Sequence, residues 1–319
     1  MRVRRPGATT LLACPNRSTG IGWGERAVAL LRASHPGSAI RRRRGRIALA
    51  LILVAAALGG CASAPSPLSA PASYTARTVY GEAFSLRYWH RGLTNGAKQS
   101  PQLVHVYIEG DGRAWRHGNP PTDPTPRKPV GYALAIGDPH TSVVYIARPC
   151  QYLQPGELAA CDPRLWTSAR YSQIVIAAVN TALDNIRSLD GTTRRFGLIG
   201  HSGGGTVGAL VAARRQDVAW LITAGANLDH RAWTTHHRVP PLALSANPVD
   251  DIERLKSLPQ LHLAGEHDTV VPSTLTRRFM ARFPPDSEAR MLLVPGATHT
   301  CCWAEVLAEV LPRISHITR

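Results

Sequence analysis

No apolar run in this chain of 319 residues approaches the ~20 residues needed to cross a bilayer. The apolar stretch 47–57 falls well short, so a permanent membrane-spanning helix is the weaker reading of it. Acidic side chains are scarce, 21 against 37 lysines and arginines, for a formal net charge of +16. That imbalance points to nucleic acid only until it is located. Residues 1–60 hold eleven arginines and a single acid, Glu25, which leaves about +6 for everything that follows. An ordinary soluble surface carries that much, so nucleic acid is not an expected partner. No Cys/His spacing matches a zinc site, so neither metal nor other cofactor is expected. Internal repeats are missing, which excludes a solenoid. No methionine lies between Met1 and Met280. What the chain does have is 44% hydrophobic residues, enough to bury a sizeable core.

The arginines sit where a targeting signal would need them. Arg41-Arg42-Arg43-Arg44-Gly45-Arg46 precedes the apolar run, and small residues follow, in the order of an export signal with its cleavage site. Leu58-Gly59-Gly60-Cys61 resembles a bacterial lipobox, which implies that Cys61 is lipidated and becomes the first residue of the mature protein. The other reading is a secretory signal with an incidental cysteine. Ala62 after the lipid site, rather than Asp, implies by the same resemblance the periplasmic side of the outer membrane of a bacterial envelope. Residues 61–73, with Ala, Ser and Pro prominent, then form a flexible tether. Residues 1–40 are expected to be a disordered leader, or never made because the start is a non-ATG codon near residue 28–40. Export places the later cysteines in an oxidising compartment. Cys150 and Cys161 enclose a short loop and are expected to pair; Cys301 and Cys302 either form a vicinal bridge or remain thiols.

Along the mature chain, β signals alternate with helical ones. Strands are predicted at 78–89 (one or two edge strands), 103–108, 142–147, 195–199, 218–224, 260–264 and 290–294. Helices are predicted at about 168–189, 205–213, 273–283 and 302–314, with a long loop over 113–131 and a mixed segment over 227–258. Such alternation predicts an α/β fold, a mostly parallel central sheet with helices on both faces. Residues 74–319 read as one catalytic domain.

The chemistry is carried by Gly200-His201-Ser202-Gly203-Gly204, set between the strand 195–199 and a small-residue helix. Strand, G-x-S-x-G and helix together make a nucleophile elbow. Gly265-Glu266-His267-Asp268 follows the next-to-last strand, and Pro295-Gly296-Ala297-Thr298-His299 follows the last. With these contexts the chain resembles the α/β-hydrolase superfamily over most of its mature length. The resemblance implies the α/β-hydrolase fold, Ser202 as nucleophile, His299 as general base and Asp268 as the acid that orients it. Asp229, after the strand 218–224, is the rival acid. His201, His236, His237, His262 and His267 read as structural or solvent-facing. The oxyanion would be met by the backbone N–H of Gly203 and by one from Glu109-Gly110-Asp111-Gly112, with Asp111 the expected donor; the other reading of that stretch is a simple Asp-Gly turn. The superfamily more often has His-Gly there. Two carboxylates beside an oxyanion would raise the barrier unless they point away or pair with Arg113, Arg116 or Arg148; the Asp111 carboxylate is expected to face outward. The run 107–115 (YIEGDGRAW), with Arg148-Pro149-Cys150-Gln151-Tyr152 and Trp166-Thr167, further resembles uncharacterised bacterial α/β-hydrolase lipoproteins.

These features lead to an envelope-anchored serine hydrolase cleaving an ester or thioester through an acyl-enzyme. Its membrane partner is reached through the lipid anchor, and a monomer is expected. A small or medium acyl substrate is favoured because no long apolar lid is evident, and the basic loop around 113–128 favours an anionic one. A serine peptidase or amidase uses the same machinery, and a catalytically silent binding or scaffold lipoprotein is the reading from another class.

Overall fold

Eight strands hydrogen-bond into one sheet. The computed structural model describes residues 68, 70–81, 84–93, 102–189 and 193–314. The leader, the lipobox with Cys61 and most of the tether lie outside the described residues.

The segment expected as one or two edge strands forms β1 (Thr75–Tyr80), which is the edge, and β2 (Ser85–Arg91), which is paired on both sides; both pair antiparallel. The other six run parallel: β3 (Gln102–Ile108), β4 (Val143–Ile146), β5 (Arg194–His201), β6 (Val218–Ala224), β7 (Gln260–Gly265) and β8 (Ala289–Val294). Across the sheet the order is β1-β2-β4-β3-β5-β6-β7-β8. Central strands are apolar without alternation because both faces are covered; every residue of β4 and β7 is buried. One face carries α2 (Gln173–Ser188) and α3 (Gly203–Ala212), and the other carries α1 (Val130–Gly137) and α6 (Trp303–Val310). Between α3 and α6 in the chain come α4 (His230–His237) and α5 (Ser273–Met280).

The helices form for different reasons. In α2, Val175, Ile176, Val179, Leu183 and Ile186 recur at helical spacing and are all buried against the sheet. Each such side chain contributes about 1.5–3 kcal/mol by leaving water. α3 is buried on every side, which only small residues such as Gly204, Gly205, Gly208 and Ala209 permit. Several boundaries differ from the sequence expectation; the helix expected at 273–283, for example, ends at Met280. The helix predicted from 168 begins at Gln173, after Ser172 in extended conformation, and residues 168–171 form a turn instead. Their backbone goes to non-helical partners: Ser245 Oγ donates to Ser168 O at 2.9 Å and accepts from the Tyr171 N–H at 3.1 Å. The loop predicted over 113–131 closes at its end into α1.

Cys150 is bonded to Cys161, and Cys301 to its neighbour Cys302. No helix among the described residues is long and apolar enough to cross a membrane.

Candidate active site

The carboxyl ends of β3, β5, β7 and β8 deliver the candidate residues to one edge of the sheet, where open parallel sheets place their sites. The turn after β5 is the tightest. Ser202 sits at φ 53°, ψ −126°, a conformation an L-residue holds only under constraint. The constraint is the approach of three backbones. A Cβ on Gly200 would lie 2.4 Å from the Gly204 carbonyl, and one on Gly204 would lie 2.1 Å from the Ile108 oxygen. One on Gly203 would lie 2.0 Å from the Asp111 carboxylate. Glycine alone fits at these positions, so β5, α3 and the end of β3 meet around the serine.

His299 Nε2 lies 3.0 Å from Ser202 Oγ, and His299 Nδ1 lies 2.8 Å from Asp268 Oδ2. Asp268 is 4% exposed, and its other oxygen accepts from the Val270 and Val271 N–H groups at 2.8 Å each. A carboxylate only accepts, so Nδ1 carries the ring proton and Nε2 faces the serine hydroxyl as an acceptor. The His299 carbonyl accepts from His201 Nε2–H at 2.7 Å and from the Trp303 indole at 3.0 Å. Burial, with repulsion from His299, pushes His201 down to about 4, so it is neutral and serves as a strut beneath the loop. Asp229 does not join the group: it accepts from Ala232 N–H at 3.2 Å and Asn247 Nδ2 at 3.0 Å, capping α4. His262 is buried between Thr223 and Gln260, whereas His236 and His267 are exposed. His237 is not simply solvent-facing, since its Nε2 donates to the Val270 carbonyl at 2.8 Å.

The acidic loop after β3 is held at three successive residues. Glu109, 2% exposed, accepts from the N–H of Gly110 (2.9 Å), Gly131 (3.2 Å) and Tyr132 (3.1 Å) and from Tyr145 OH (3.0 Å). Burial pushes its carboxyl up, against those four donors. Gln151 Nε2 donates to the Gly110 carbonyl at 3.1 Å. The Asp111 carboxylate does not face outward as the sequence suggested; it packs against Gly203. Arg148 Nη1 (2.9 Å), Arg170 Nη1 (3.0 Å) and Tyr171 OH (2.8 Å) converge on it. Burial opposes its ionisation, yet Arg170 and Arg148 hold the carboxyl below the usual carboxylate range. Arg113, an expected partner, pairs with Asp123 instead at 3.1 Å. Arg170 and Tyr171 were missed because that stretch reads as the first turn of a helix. No local signal marks them.

A cleft of about 280 Å³ lies over Ser202, walled by Gly110, Asp111, Asn227, Trp233 and Thr300, with the exposed Lys128 at its edge. Among the described residues no group of three or more His, Cys, Asp or Glu side chains converges as metal ligands do.

The sheet order, the crossovers and the turn after β5 define the α/β-hydrolase fold, and this chain has it. Solved structures with this architecture include the esterase Est1E from Butyrivibrio proteoclasticus, 14% identical with TM-score 0.51, covering 76% of this chain and 98% of its own. The α/β hydrolase GrgF from Penicillium sp. sh18 is 11% identical with TM-score 0.53, covering 77% and 97%. A puromycin hydrolase is 18% identical with TM-score 0.52, covering 77% of this chain but 38% of its own. No protein-family model and no curated protein matches the sequence.

Proposed function

We propose that the protein is a serine hydrolase that cleaves an ester or thioester through an acyl-enzyme. The observation that carries this reading is the Ser202–His299–Asp268 relay at 3.0 Å and 2.8 Å. A serine hydroxyl is a weak nucleophile unless a base takes its proton. In this reading Ser202 Oγ attacks the acyl carbonyl as its proton passes to His299 Nε2, and Asp268 steadies the imidazolium. The N–H groups of Gly203 and Asp111 receive the developing oxyanion. Gly203 opens α3, where N–H groups lack intrahelical partners, and Asp111 stands on a loop tied down before the reaction begins. The imidazolium then returns its proton to the leaving alcohol or thiol. Water, activated by the same imidazole, releases the acid and restores Ser202.

The size of the cleft supports a small or medium acyl group, and Lys128 at its edge supports an anionic one. The esterase fold neighbours agree with this reading at the level of fold. We also propose that residues 74–319 are the catalytic domain, acting as a monomer, and that lipidated Cys61 tethers it to the bacterial envelope, at the periplasmic side of the outer membrane.

A fluorophosphonate probe tests the reaction: it should label the purified protein, and Ser202→Ala should abolish labelling. The same variant should lower kcat on a short-chain ester at least ~10,000-fold. Absence of labelling in the native protein would favour a silent binding protein. Faster turnover of peptides or amides than of esters would favour the peptidase. Radiolabelled palmitate should enter the native protein and not Cys61→Ser.

A further inference from the structure

The catalytic cleft continues into a second hollow. A groove of about 520 Å³ shares Arg170 and Trp233 with it and is walled by Trp115, Trp233, Val239, Pro240, Pro241 and Leu242. Seven large hydrophobic residues are exposed on the described surface, and three of them belong here: Trp115 and Val239 line the groove, and Val270 lines the cleft. Trp115 is 55% exposed, a large area for an indole to leave wet without an occupant. Trp233 stands at the junction of the two hollows, where its Nε1–H donates to the Val270 carbonyl at 2.7 Å. That bond fixes the ring beside the loop that carries Asp268.

We propose that this groove is the subsite for an aryl or arylalkyl group attached to one side of the scissile ester. The inference rests on the hydrolase reading of Ser202, because the groove gains its meaning from opening onto that serine. No carboxylate lines it, and of its polar side chains, Thr167, Ser168 and Arg170, two are already engaged: Thr167 Oγ1 with the Pro163 carbonyl at 2.8 Å, Arg170 Nη1 with Asp111 and Arg170 Nε with the Thr167 carbonyl at 2.7 Å. A charged group would lose hydration there with little replacement. The walls also favour a ring over a chain. Two indoles and two prolyl rings present flat, stiff faces, and aromatic contacts add attraction beyond the area they bury. A flexible alkyl chain gains the area alone and loses rotamer freedom on binding.

The test compares rings of similar size that differ in aromaticity. On the acyl side the pair is ethyl 3-phenylpropionate and ethyl 3-cyclohexylpropionate; on the alcohol side it is benzyl acetate and cyclohexylmethyl acetate. In one of the pairs the native protein should prefer the aryl ester by about 3- to 10-fold in kcat/KM. Trp115→Ala should erase the preference and Trp115→Phe should restore most of it. Equal rates in both pairs, or a preference that survives Trp115→Ala, would overturn the proposal while leaving the hydrolase reading intact. Failure of the hydrolase reading shows separately, as absent fluorophosphonate labelling. The groove is then decided by direct titration, followed by tryptophan fluorescence, of 3-phenylpropionate against 3-cyclohexylpropionate and benzyl alcohol against cyclohexylmethanol. The phenyl member of one pair should bind about 3- to 10-fold more tightly, again only while residue 115 is aromatic; equal affinity within both pairs overturns the subsite.

Discussion

Asp111 illustrates how a residue unsuited to its place can be made to fit. In the proposed reaction a lone carboxylate beside the developing oxyanion would raise the barrier, but two guanidinium groups and a phenol enclose this one, so the local charge is positive overall. The same clamp fixes the backbone that offers the Asp111 N–H. Asp111→Asn keeps the shape and removes the charge, leaving Arg148 and Arg170 without their counter-ion. Breaking such a buried pair costs about 3–5 kcal/mol, which urea unfolding would report. In the proposed mechanism the loop positions an oxyanion donor, so kcat should fall about 10- to 100-fold with KM nearly unchanged; an equal rise in KM would make the clamp a substrate contact instead. His201 acts on the other side of the serine. His201→Ala removes the donor that holds the His299 carbonyl, and kcat should fall about tenfold through misplacement of the ring. A purely structural role would lower the melting temperature and leave kcat at 25 °C untouched.

Elements transmit these positions. β3 and α1 are joined through Glu109, whose carboxylate accepts the N–H groups of Gly131 and Tyr132 at the start of the helix. An amide has one acceptor oxygen, so Glu109→Gln turns an NH₂ toward backbone donors. Stability should drop by about 1–3 kcal/mol, and hydrogen exchange at the start of α1 should quicken more than in α2. Helix α2 was legible in the sequence because its apolar stripe repeats at helical spacing. Its first turn was not. Arg170 and Tyr171 have helical neighbours in sequence, but their side chains and backbone are claimed by Asp111 and Ser245, partners 59 to 74 residues away. Propensity is a local, weak preference, and a buried ion pair with several hydrogen bonds overrides it.

For the molecule as a whole, two histidines buried in neutral form set a limit in acid. Burial pushes His262 down to about 3, and burial with repulsion from His299 pushes His201 down to about 4. In the unfolded chain both take a proton below about pH 6.5, while the folded protein resists it. Their contribution is therefore complete above pH 6.5 and is lost as pH falls towards 4. Between pH 7 and pH 5 each should remove about 2 kcal/mol. His262→Gln should flatten the slope of unfolding free energy against pH by about one proton over that range, measured in urea; an unchanged slope would mean that the ring is already charged in the fold. The sequence by itself determined the alternation of strand and helix, and it marked Ser202, Asp268 and His299, because each of the three follows a strand within a few residues and carries its own turn context. Only the tertiary structure decided that Asp268 rather than Asp229 meets the imidazole, since either follows a strand and the choice is one of distance across the sheet edge. It also decided that Asp111 is clamped inward and that His201 braces His299, because those contacts join segments 37 to 98 residues apart, and no local pattern of residue types encodes where a folded chain returns to itself.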